Sequence, residues 1–258
     1  MSEFENEEVL SERKPSPVMR GIAAALKWLA IALILFVFGT MLWRIFAMER
    51  IPEDMTALLV NDATVAAYEQ GDGALEIFTQ EDLDRITTNE RAYGYFWVDQ
   101  VLIIPEAKQV QVLVKYNDST LPKIEADYEL APKTLSREDQ IIDLTLCVIK
   151  DATPNDPEDN EKESAQTKTR IAASAEPVSG AQDVYNYRKF IFDGVELTDD
   201  VLALTVDFYY IDDVDYEKEP YGTLYVYYYL AENTPVALSK NDIQALQSYE
   251  KTPENGEN

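Results

Sequence analysis

Val201-Leu-Ala-Leu-Thr-Val-Asp-Phe-Tyr-Tyr-Ile211 places Leu202, Leu204, Val206, Phe208 and Tyr210 at every second position. Side chains alternate across a strand, so this spacing predicts a β-strand with one continuous apolar face. A charged stretch, 212–221, separates it from Gly222-Thr-Leu-Tyr-Val-Tyr-Tyr-Tyr-Leu230, where Leu224, Val226, Tyr228 and Leu230 repeat the period. The two runs are expected to pair as a hairpin.

The same pattern recurs toward the N-terminus. Tyr95 to Ile104 and Gln109 to Tyr116 flank Pro105-Glu-Ala-Lys108, a proline-bearing turn that predicts a second hairpin. In its second arm Val110, Val112, Val114 and Tyr116 share one face, opposite Gln109, Gln111 and Lys115. Ile141 to Ile149, Thr169 to Ser174 and Tyr185 to Phe192 also read as strands. None of these runs is separated by the helix that a parallel sheet requires, so the expected fold is an antiparallel β-sandwich, Ig-like or C2-like, over residues 93–250. Trp97 has no disulfide to pack on, which removes the mark of antibody domains.

Short helices are expected to flank the sheets. In the connector, 49–92, Asp62 is placed to cap a helix through Tyr68 that Gly71-Asp-Gly73 stops, and Thr79-Gln-Glu-Asp82 has the form of a capping box for a helix from Thr79 to Ile86. Ser239 is placed to cap a last helix, Asp242 to Tyr249. Residues 151–168 carry no apolar period and are expected to be a mobile acidic loop, and 251–258 a disordered tail.

The chain also holds one long apolar run. Trp28 to Trp43 is sixteen residues without a charge, bounded by Lys27 and Arg44. Sixteen residues of helix reach about 24 Å, short of the roughly 30 Å of bilayer hydrocarbon. The stems of Lys27 and Arg44 extend along the helix, so 21–48 is expected to span a membrane once, with Trp28 and Trp43 near the interfaces. The run exceeds a signal peptide's apolar core, and Ile45-Phe-Ala-Met-Glu-Arg-Ile-Pro52 lacks an A-x-A site. Arg13, Lys14, Arg20 and Lys27 on the N-terminal side outnumber Arg44 and Arg50. The predicted topology is therefore a type II signal anchor, with a disordered cytoplasmic tail at 1–20 and the remainder outside the cytoplasm.

Charge is distributed unevenly. Six acidic and six basic residues fall within positions 1 to 50, so the net charge of −26 belongs wholly to residues 51 to 258. Such a field repels nucleic-acid phosphates, and no nucleic-acid partner is expected. Cys147 is the only cysteine, which rules out an internal disulfide and suits a bacterial envelope protein. The chain contains no histidine, so histidine-based triads, histidine-ligated zinc and a histidine general base are excluded. No catalytic residue is singled out.

Two candidate sites remain. Asp212, Asp213, Asp215 and Glu217 crowd one loop and are the candidate calcium ligands, though without EF-hand spacing. Tyr209, Tyr225, Tyr227 and Tyr229 are expected to line the other face of their hairpin, as a surface for a protein or a wall polymer. The expected function is noncatalytic binding at the cell envelope. An envelope hydrolase of the glycosidase type, using paired carboxylates, is the alternative.

Overall fold

The computed structural model describes residues 17–49, 51–81, 95–151, 166–210, 220–227 and 235–250. The chain divides into two compact units, Met1–Arg50 and Ile51–Asn258. The described residues of the first form a helix, α1 (Pro17–Glu49), of which Pro17–Phe46 is long and apolar enough to cross a membrane. It begins four residues before the expected Gly21. Proline suits a first helical position, where its fixed φ is already helical and its missing N–H would have had no partner.

The second unit is mainly β, with two antiparallel sheets. One has the order β1-β2-β3-β7-β6, from β1 (Phe78–Glu81), β2 (Phe96–Ile104), β3 (Gln109–Asn117), β6 (Val178–Gln182) and β7 (Tyr185–Asp193). The other has the order β5-β4-β8-β9, from β4 (Ile142–Asp151), β5 (Gln166–Ala172), β8 (Val201–Tyr210) and β9 (Gly222–Tyr227). Both expected hairpins form, with Val101 opposite Val112 in β2–β3 and Val206 opposite Leu224 in β8–β9.

One apolar cluster joins the inward faces of the two sheets. Val110, Val112, Val114 and Phe190 come from the first, and Leu144, Leu146, Leu204, Val206 and Phe208 from the second. At one end Tyr128 stacks on Tyr210 with ring centroids 4.3 Å apart, and Tyr221 stacks on Tyr95 and donates to Asp127 Oδ2 at 3.0 Å.

The opposite face of the first sheet is covered as well. Among the described residues of this unit, three short helices lie outside the strands' own connections: α2 (Glu53–Thr56), α3 (Asp62–Gln70) and α5 (Lys240–Ser248), whereas α4 (Leu121–Asp127) follows β3. Leu58, Val65 and Leu75 of the segment preceding β1 pack with Leu102, Ile104 and Leu246 in a second cluster. Met55 packs on Leu113 and Tyr187 in a third. Gln109 and Gln111, expected opposite the apolar face of β3, are accordingly buried between the sheet and this segment.

Several local expectations change. Thr79 does not begin a helix, because Phe78–Glu81 pairs with Gln100–Ile103 and buries Phe78 in the main cluster, which outweighs a capping pattern. Asn61, rather than Asp62, caps α3: its side chain accepts from Thr64 N–H at 3.1 Å, and Thr64 Oγ1 accepts from Asn61 N–H at 2.8 Å. Ser239 caps α5 as expected, although the helix starts at Lys240. Strands β4 and β5 take in Asp151 and Gln166 to Lys168, which trims the expected loop at both ends. Strand β6 and helix α4 lack any strong apolar period. The tails at 1–16 and 251–258, and residues 152–165, lie outside the described residues.

Candidate functional site

Of the expected tyrosine face, Tyr209 and Tyr225 lie on β8 and β9, on the side of the second sheet away from the shared core. Tyr209 is only 2% exposed, so it belongs to the packed interior of that face and not to an open surface. Tyr225 is half-buried and sits opposite Thr205. Tyr227 ends β9, and Tyr229 lies outside the described residues, as do Asp212, Asp213, Asp215 and Glu217 of the expected calcium loop. Among the described residues, no group of three or more acidic or cysteine side chains is placed to hold a metal ion.

A charged hub lies beside Tyr209. Asp207 is fully buried, yet its carboxylate receives three donors: Lys168 Nζ at 2.6 Å, Thr223 Oγ1 at 2.7 Å and Cys147 Sγ at 3.2 Å. These come from β5, β9 and β4, the strands that flank β8 and its neighbour. Burial and the Asp207 charge push the Cys147 thiol up to about 12, so it stays protonated and serves as a donor. The hub braces the sheet; its acid is fully paired.

The first sheet carries a different arrangement, built around the segment that leads into α3. Residues 57–61 run across its outer face, where side chains from β3 and β7 bind their backbone and the Asn61 side chain. Gln111 Nε2 donates to Leu59 O at 2.7 Å while Gln111 Oε1 accepts from Leu59 N–H at 3.0 Å. Gln109 Nε2 donates to Asn61 Oδ1 at 3.0 Å and to Asp193 Oδ1 at 2.7 Å. Lys189, 1% exposed, donates to the carbonyls of Ala57 and Thr56. Burial lowers its amine to about 8, partly opposed by the charge of Asp242. From the other end of the chain, Asp242 Oδ1 accepts from Leu58 N–H at 2.9 Å.

Between this strap and the C-terminal segment lies an open cleft of about 630 Å³. Its floor is the outer face of β1 and β2, presented by Ile77, Thr79, Gln100 and Leu102. Glu53 and Thr56 to Leu58 form one wall, and Val236 to Ser239 with Asn241 and Asp242 the other. Gln100 is 5% exposed, and its Oε1 is buried with no hydrogen-bond partner among the described residues. A buried amide oxygen with no partner costs about 1–3 kcal/mol, and the residue that carries this one lines the cleft. Apolar walls with a few converging polar groups are the usual composition of a binding site.

Neither Gln100 nor the cleft is visible as a site in the sequence. The only signal is the polar pair Asp99-Gln100 inside an otherwise apolar strand, and the structure places a register shift there, between Val98 and Gln100. That irregularity sends Gln100 to the outer face while Val98 and Val101 both enter the core.

No protein-family model, curated protein or solved structure matches the chain.

Proposed function

We propose that this protein is a noncatalytic, membrane-anchored domain that binds a protein or wall polymer on the outer side of a bacterial cell membrane. Helix α1 supports the anchor by its length and composition. The excess of basic residues toward its N-terminal end supports a cytoplasmic N-terminus, so that residues from Ile51 onward face outward.

The strand order supports an Ig-like sandwich over a C2-like one. In that reading β2-β3-β7-β6 takes the places of strands A-B-E-D, and β5-β4-β8-β9 those of C′-C-F-G, with β1 added beyond A. A fold of this kind hosts many functions, so the site must carry the argument.

The observation that carries the binding reading is the cleft with Gln100 buried and unpaired in its floor. In-cell photocrosslinking tests it. A photoreactive residue in place of Thr79 is expected to give a discrete envelope adduct that one in place of the exposed Glu176 does not. Crosslinks to lipid alone, or the same adducts from both positions, contradict binding at this cleft.

A further inference from the structure

We infer that helix α5 is a latch on the strap: the C-terminal helix and residues 51–61 dock and open as one coupled unit, within a domain whose sheets stay folded. The inference does not depend on what occupies the cleft.

One side chain joins the two elements. The Asp242 carboxylate accepts from Leu58 N–H on Oδ1 at 2.9 Å, and from Ser239 N–H on Oδ2 at 3.0 Å. It thereby completes the capping box at the start of α5 and holds strap backbone 184 residues earlier in the chain. Leu246, 3% exposed, packs in the same cluster as Leu58 and Val65. Asp242 and Leu246 stand at i and i+4, so a single face of α5 makes both attachments.

Each element depends on the other. Helix α5 has nine residues, of which only Leu246 is buried. An isolated helix shorter than about 12 residues is marginal in water, so its docking face has to hold it. On the other side, α2 is a four-residue turn without a side-chain cap. The N–H groups of Leu58 and Leu59 go to the side chains of Asp242 and Gln111 in place of a strand ladder. Segments held in this way open at lower free energy than the strands beneath them. Opening the strap takes Leu58 from Asp242 and from the Leu246 cluster; undocking α5 takes the same partners from the strap. Coupling of this kind is reciprocal.

The cleft runs along the same seam, with Leu58 on one wall and Asp242 on the other, so an unlatched domain has lost a wall of its site. Residues 51–61 also join the end of α1 to the cap of α3. Released, those eleven residues reach up to roughly 36 Å of free chain.

Hydrogen–deuterium exchange of the full chain in lipid nanodiscs, read by mass spectrometry, tests the coupling from both ends. Gln244→Gly, at an exposed position within α5, weakens the helix without removing an attachment. It is expected to speed exchange about threefold in α5 and at Leu58, and by a smaller factor at Leu59, with Val206 in β8 unchanged. Gln111→Ala acts on the strap alone and is expected to speed exchange in α5 beyond any change at Val206. Acceleration in α5 with Leu58 and Leu59 unchanged overturns the inference. So does an α5 indifferent to Gln111→Ala, no acceleration anywhere in Gln244→Gly, or acceleration at Val206 by the same factor as at Leu58.

Discussion

The side-chain amide of Gln111 pairs with the backbone of Leu59 in both directions, as a neighbouring strand would, at 2.7 and 3.0 Å. Gln111 is fully buried, so its removal strands both groups of Leu59 away from water. Gln111→Ala is expected to cost about 2–3 kcal/mol in chemical denaturation. Amide hydrogen exchange is expected to show local loss of protection at Leu59 beyond the global change. Uniform loss across the sheets would mean that the strap is not held by this pair.

Met55 is the apolar counterpart of that lock. It is buried against Leu113 and Tyr187, and a Cβ added at Gly180 would lie 2.8 Å from its Sδ. Gly180→Ala is therefore expected to destabilise by about 1–3 kcal/mol through overpacking. The double variant Gly180→Ala with Met55→Ala is expected to recover part of the loss that the two single variants sum to. Strict additivity would contradict the contact.

Lys189 gives the domain a signed pH dependence. Its folded pKa, about 8, lies below the ordinary lysine value of 10.5, so the unfolded chain holds the extra proton between these limits. Stability from this group is lowest below pH 8, rises as pH increases through that window and is fully recovered above it, by on the order of 3 kcal/mol. Lys189→Met is expected to abolish that rise when the melting temperatures of the two proteins are compared across pH 7 to 11. Parallel curves would show that the amine is not desolvated in the folded state.

The Lys168–Asp207 pair is asymmetric. Asp207 is fully buried while the Lys168 side chain is 38% exposed, so losing the lysine leaves a buried charge and losing the acid leaves a solvated one. Lys168→Met is expected to cost about 2–3 kcal/mol, with Thr223 and Cys147 still donating, and more than Asp207→Asn. Urea denaturation checks the order, and the reverse order would contradict the assigned burial.

The inward half of the fold was legible because the core strands carry long runs of apolar alternation. Leu204 through Tyr210 and Val110 through Tyr116 lie on the faces their spacing requires, whereas a register shift at Lys150 brings Val201, and not the expected Leu202, against the main cluster. What the spacing hid is that both faces of the central strands are covered. Gln109 and Gln111 look like a solvent-facing pair, but they are bonded to a strap some fifty residues earlier in the chain, a long-range contact that no local period encodes. Tyr209 misleads in the same way: alternation assigns its face correctly, and says nothing of what buries it. The cleft was illegible for a further reason, since its floor depends on the register shift near Gln100 and its walls come from Glu53 and Ser239, far apart in sequence.

Labelling with a membrane-impermeant maleimide in intact cells tests the anchored, outward-facing domain most directly. Cys147 is fully buried, with its thiol pushed up to about 12, so the unaltered protein is expected to stay silent and any signal reports an introduced thiol. Glu176→Cys, at an exposed position, is expected to label in intact cells, and Ser2→Cys only after lysis. Labelling of Ser2→Cys in intact cells with Glu176→Cys protected until lysis would place the domain in the cytoplasm and contradict the account.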